Sequence, residues 1–343
     1  MTRFLSLISR AGIPTLVLSL LPVLAVAQER QEPLTLVSTE HIADLAGDFN
    51  VFAVDTAHNR LFVSADKHGS LELFNLKTGK HLRSIGGVKE PHMLAYVAAT
   101  NQLWVGDAGA SAMILLDADD YHETDRIPLP TPPTAGLYDA EAAIFYIQDD
   151  GVDGKLPYST INMIDVPSKK ITGTVRIDDP NLEAMAVDHL SNRMYVNMRG
   201  TKQIAAIDLA TKSVVETWAV PGLNLNTPIA VDEKTTRVFT AGRKPGKFYV
   251  IDGKTGSVVF ESLCINIADY MIWNPAMKRI YVTGSQGISI FHQEDANHYT
   301  KLAEFPTNGG KISTLVPSLQ QMYVIHPKSD VDDAGLEVFH VNP

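Results

Sequence analysis

Arg193-Met194-Tyr195-Val196 is one of seven copies of a short pattern in which a polar or small residue, most often arginine, leads an alternating apolar run. The others are Arg60-Leu61-Phe62-Val63, Gln102-Leu103-Trp104-Val105, Ala143-Ile144-Phe145-Tyr146, Arg237-Val238-Phe239-Thr240, Arg279-Ile280-Tyr281-Val282 and Gln321-Met322-Tyr323-Val324. Alternation of this kind places successive side chains on opposite faces of a strand. With anchors at Leu61, Leu103, Ile144, Met194, Val238, Ile280 and Met322, the steps are 42, 41, 50, 44, 42 and 42 residues. A near-constant step of this size marks a repeat architecture.

A second extended pattern follows each of these, as in Leu73-Phe74-Asn75, Leu115-Leu116-Asp117, Ala206-Ile207-Asp208 and Val250-Ile251-Asp252. It leads into a polar turn such as Lys77-Thr78-Gly79-Lys80 and then another extended run. Each unit therefore reads as four antiparallel strands, A to D, which is a propeller blade. A sandwich would not repeat its own sequence at this spacing. The fold expected is an all-β, seven-bladed β-propeller. The last unit ends at Pro343 after its third strand, and Leu36-Val37-Ser38-Thr39-Glu40-His41-Ile42 stands unassigned ahead of the first unit. This N-terminal strand is expected to complete blade seven and close the ring, which removes the exposed edges a solitary sheet would carry.

The stretches Met194-Tyr195-Val196-Asn197, Ile204 to Val215 and Pro228-Ile229-Ala230-Val231-Asp232 resemble the YVTN repeat of YncE-like propellers. The resemblance covers residues 28–343 and is loosest in blades three and seven. It implies an exported propeller that binds something, and says little about chemistry, because one such scaffold hosts many functions.

Residues 1–27 read as a signal peptide: Arg3 and Arg10 precede an apolar run from Ile13 to Val26, closed by the small-x-small site Ala25-Val26-Ala27. The run is short for a membrane span and contains Pro14 and Pro22, so no stable membrane insertion is expected after cleavage. The product, 28–343, is expected as a single periplasmic or secreted domain and as a monomer. Loss of two arginines takes the formal charge from −10 to −12. Such a surface repels phosphate backbones and argues against nucleic acid as a partner. Cys264 is the single cysteine, which excludes an internal disulfide and a cysteine-based metal site.

In a propeller the innermost strands A start together at one mouth of the channel. Eleven residues before each anchor stand Asn50, His92, Pro133, Glu183, Thr227, Asp269 and Lys311. Six of these seven are polar or charged, and Asn50, His92, Glu183, Thr227, Asp269 and Lys311 are the candidate ligand-binding residues. Such a ring can coordinate a hard cation such as Ca²⁺ through Asn50, Glu183 and Asp269, or support acid–base chemistry. The blander alternative is a wet mouth whose charges pair with one another, and Lys311 weighs against the metal by supplying positive charge itself. The long step in blade three comes from Asp149-Asp150-Gly151-Val152-Asp153-Gly154, expected to wall the pocket through Asp149, Asp150 and Asp153. That loop lacks the full ligand register of a calcium loop and reads more simply as a long hairpin turn. Blade five offers the basic hairpin Arg243-Lys244-Pro245-Gly246-Lys247, and blade seven the excursion His326 to Gly335.

Asp55, Asp188 and Asp232 are assigned to Asx-type turns, and Phe62, Trp104, Phe145, Tyr195, Phe239, Tyr281 and Tyr323 to packing between blades. No haem-attachment, zinc-protease, nucleophile-elbow or phosphate-loop motif occurs in the chain. Three functions remain: a module holding a small polar ligand or protein segment at the channel mouth, a metal-dependent hydrolase of the lactonase type with His92 as proton carrier, and a scaffold that uses the rim alone. Enzyme activity is left open, with binding preferred.

Overall fold

The computed structural model describes residues 1–2, 32–43, 45–149 and 151–343, and the propeller is the unit Glu32–Pro343. The proposed signal peptide, residues 1–27, lies outside the described residues except at its first two positions. Seven four-stranded antiparallel sheets make the seven blades. Blade one runs through Phe49–Asp55, Arg60–Ala65, Ser70–Asn75 and His81–Ile85, and the next five blades repeat that order. Blade seven takes strands A to C from Ile312–Val316, Gln321–His326 and Ala334–Val341, and its outer strand D from Leu34–Ile42 at the other end of the chain. Strands A of successive blades touch all the way round, including blade seven to blade one.

The strand period creates the core. In strand B of blade one, Leu61 faces the blade-seven side with Tyr323 and Val338, whereas Phe62 faces blade two with Leu94 and Leu103. Each blade thus presents one apolar layer to each neighbour, and every buried aromatic of strand B plugs a gap between two sheets. The arginine that opens strand B has a purpose that the pattern alone does not disclose. It donates to a carbonyl of the next blade: Arg60 to Ala118, Arg193 to Gly253 at 3.4 Å, Arg237 to Ala296 at 2.9 Å and Arg279 to Asn342. Tyr195 adds a hydroxyl bond to Gly253 across the seam that Arg193 spans, and Tyr323 one to Leu76 across the seam between blades seven and one.

The A–B turns explain the recurrent aspartates. Asp55 accepts from the His58 amide, Asp188 from Ser191, and Asn274 from Ala276, while the residue just before strand B holds a left-handed φ in every blade. In blade three the same turn is built on Asp139, which accepts from Glu141 and Ala142 and pairs with Ile144 as Asp55 pairs with Arg60. The blade-three anchor is therefore Phe145, not Ile144. A one-residue slip moves every side chain to the other face. Phe145 accordingly packs toward blade two, stacked on Trp104 at 4.9 Å, and Tyr146 is the member of the aromatic series that faces blade four. The slip also replaces Pro133 by Thr134 at the channel mouth.

Ring closure rests on the pairing of Leu34–Ile42 with Ala334–Val341, in register from Leu34 opposite Val341 to Ile42 opposite Ala334 with one bulge. Asn342 fastens the seam, donating through Nδ2 to the Glu32 carbonyl at 2.7 Å and to Thr35 Oγ1 at 2.8 Å. Deleting residues 34–42 exposes Phe339, Val338 and the edge of strand C in blade seven. We expect one cooperative loss of the whole fold in calorimetry and urea titration; a variant that melts near the parent temperature, with disorder confined to blade seven, refutes the closure role.

Candidate functional site

The first residues of the strands A converge because the seven sheets stand radially about one axis. Asn50, His92, Thr134, Glu183, Thr227, Asp269 and Lys311 all line a single central cavity of about 920 Å³. Six of them are the positions singled out from the spacing, and Thr134 takes the place of Pro133. Beyond this polar ring the cavity lining is mainly apolar, with Met93, Met185, Ile229 and Met271, and it includes the ring of Tyr270. At the opposite mouth it meets Asp139, Glu141 and His189.

The charges of the upper mouth are paired, and their signs alternate around five consecutive blades. Glu183 of blade four holds Arg199, which follows strand B of the same blade. Asp269 of blade six holds Arg243, the last residue of strand B in blade five. Lys311 of blade seven pairs with Asp48 of blade one, and its Nζ also stands 3.9 Å from Asp269. Arg243 is attracted by Glu183 and Asp48 and repelled by Arg199, and burial pushes its pKa below the ordinary arginine value. On blades one to three the contacts are weaker: His92 Nε2 stands 3.6 Å from Glu90 Oε1, beyond hydrogen-bond distance, Thr134 Oγ1 has no hydrogen-bond partner among the described residues, and Asn50 Nδ2 reaches the Pro91 carbonyl at 3.5 Å.

This arrangement bears on the cation expected at Asn50, Glu183 and Asp269. Both carboxylates already face a guanidinium, and an ammonium stands beside one of them. A divalent ion would have to displace these partners and sit among three positive charges, so the donor set does not suit it. Among the described residues the group whose ligand atoms approach closely enough for a metal is Asp117, Asp120 and His122, on the outer C–D turn of blade two. Its carboxylates cap the local turn, accepting from the amides of Asp119 and His122.

Among the described residues of the blade-three loop, none lines the cavity, Asp149 included. Asp149 ends strand B with its carboxylate turned onto Thr160, at 2.6 Å from the amide and 2.7 Å from Oγ1, and onto Thr131. It fastens the base of a hairpin that continues through a single helical turn, Gly151–Gly154. Asp150 and the side chain of Asp153 lie outside the described residues. The blade-seven excursion also stays off the cavity, and of the basic blade-five hairpin only Arg243 lines it. Asp48 and Arg199 were missed by the spacing argument because both sit just outside the strands whose periodicity carried it. Cys264 is buried, which pushes its thiol up to about 12 and leaves it inert.

The lower mouth carries a different device. His189, in the A–B turn of blade four, lies 3.0 Å from Glu233 of blade five through Nδ1 and 3.0 Å from Asp139 of blade three through Nε2. The hydrogen bond to Glu233 and then that to Asp139 outweigh desolvation and raise the imidazole pKa to about 9.

No protein-family model and no curated protein matches the chain. A chain from the crystal structure of a mitotic checkpoint complex superposes with a TM-score of 0.74 at 13% identity, over 97% of this chain and 99% of the other. A chain of the hydrazine synthase of Kuenenia stuttgartiensis gives 0.73 at 15% identity, over 87% and 97%. The protein is thus of the seven-bladed propeller class, with a polar ring over a central cavity.

His189 yields a pH test. Because its pKa is higher folded than unfolded, its contribution is complete below the unfolded value of 6.5 and is lost as pH rises toward about 9. Its partial exposure screens the effect to about 1 kcal/mol. Melting temperature is expected to fall across that window, and His189→Gln to flatten the fall; an unchanged pH profile in the variant refutes the bridge.

Proposed function

We propose that this protein is a binding module that holds a small polar ligand or a protein segment at the upper mouth of its channel. The observation that carries this reading is the convergence of seven polar strand-A residues on one cavity with paired charges above an apolar wall. Ligand sites have this composition: apolar walls supply area, and a few fixed polar groups orient the guest. The fold is shared by a chain of a checkpoint assembly and by a chain of a hydrazine synthase, so it is compatible with binding and does not by itself separate binding from chemistry. With Arg3, Arg10 and the apolar run to Ala27, the protein is proposed to be exported and to act as a monomer in the periplasm or outside the cell.

Thermal-shift screening of small polar compounds tests the reading. A ligand at about 100 times its Kd adds about 2.7 kcal/mol, which raises the melting temperature by several degrees. Glu183→Gln and Arg243→Gln are expected to weaken that ligand at least tenfold. A ligand or partner whose affinity is indifferent to both substitutions moves binding to the rim. Chelation is expected to leave melting unchanged; stoichiometric Ca²⁺ lost in an Asp269→Ala, Glu183→Ala variant instead favours the hydrolase.

A further inference from the structure

The pattern of charge in the upper mouth narrows the ligand. Asp48, Lys311, Asp269, Arg243, Glu183 and Arg199 follow one another around five blades with strictly alternating sign. They are only partly solvated: Glu183 and Arg199 are 22% and 23% exposed, Asp269 and Arg243 13% and 22%. A guest with a single charge would take one partner from a pair and leave the other uncompensated in a confined mouth, which is costly. A guest with both signs on a short frame extends the alternation and leaves no charge unmatched. Arg243 has capacity for this. Its Nη2 serves Asp269 and its Nε a long contact of 3.4 Å to the Ala268 carbonyl, while Nη1 has no hydrogen-bond partner among the described residues.

We propose that the mouth binds an amphoteric small molecule of the α-amino acid type with an apolar side chain, its carboxylate on Arg243 and its ammonium on the Asp48 and Asp269 side of the ring. This inference deepens the binding-module reading and rests on it. The side chain points down the channel toward Met93, Met185, Ile229 and Met271, which line the cavity below the ring. Methionine and isoleucine there offer an adaptable apolar surface in a wall that also carries Tyr270. His92, whose Nε2 stands 3.6 Å from Glu90 without a hydrogen bond, and Thr134, whose Oγ1 has no hydrogen-bond partner among the described residues, lie in the same cavity wall, where they can serve the polar head of the guest.

Calorimetric titration of the full mature chain with L-leucine, N-acetyl-L-leucine and L-leucinamide tests the inference without any mutation. L-Leucine is expected to bind at least tenfold more tightly than either singly charged analogue. Arg243→Gln should weaken L-leucine at least tenfold and leave leucinamide unchanged. Asp269→Asn, which leaves Lys311 and Arg243 in excess, should reverse the order so that N-acetyl-L-leucine becomes the better ligand. Equal binding of the three compounds by the unmodified protein overturns the inference. So does failure of all three while a sugar, nucleotide or polyol binds in an Arg243-sensitive way, and that outcome leaves the binding-module reading standing. If no small molecule of any of these classes binds, the inference falls, and the binding-module reading is left with a protein segment alone as its ligand.

Discussion

Everything in this protein depends on closing a ring of seven sheets, and the closure is made by a strand from one end of the chain pairing with a strand at the other. Leu34–Ile42 and Ala334–Val341 form the outer seam of blade seven. Without that pairing the blade would present an open edge and an uncovered apolar face. With it, each sheet is clamped between two neighbours, so the position of any strand A is set by all seven. The central cavity is a consequence of this constraint, because its wall belongs to no single blade.

The seams themselves combine two kinds of interaction that work at different radii and ends of the blade. Aromatic and aliphatic side chains of strands B, buried together with those of strands A and C, fill the space between sheets. At the face that carries the A–B and C–D turns, the arginines that open strand B reach carbonyls of the following blade. Burial is non-directional and would tolerate some sliding of one sheet over another. The arginine bonds are directional, so they fix register between blades. At the same face His189 joins blades three, four and five through two carboxylates.

The two mouths are consequently unlike. The lower one is tied by a bridging imidazolium and is structural in character. The upper one holds charges that are matched but not saturated, over an apolar wall. Matched pairs keep the mouth pre-organised, since each long side chain is already held by an opposite charge, and a pre-organised site loses less entropy when a guest arrives. The upper mouth thus combines held charges with residual hydrogen-bonding capacity at Arg243 and Thr134.

Periodicity in the amino-acid sequence determined the strands, the number of blades, the borrowed outer strand of blade seven and six of the seven residues of the polar ring. These follow from local rules, since alternation and turn chemistry act within a few residues. Blade three shows the limit: its weak repeat permitted a one-residue slip, and only the pairing of Asp139 with Ile144 decided that Thr134, not Pro133, faces the channel. The same holds for charge. Asp48 and Lys311 are 263 residues apart, and Arg243 meets Asp269 from the neighbouring blade. Asp149, read as pocket wall, instead braces its own hairpin. No pattern along the chain encodes such partners, because which charges meet is decided by the radial stacking of sheets and not by distance along the backbone.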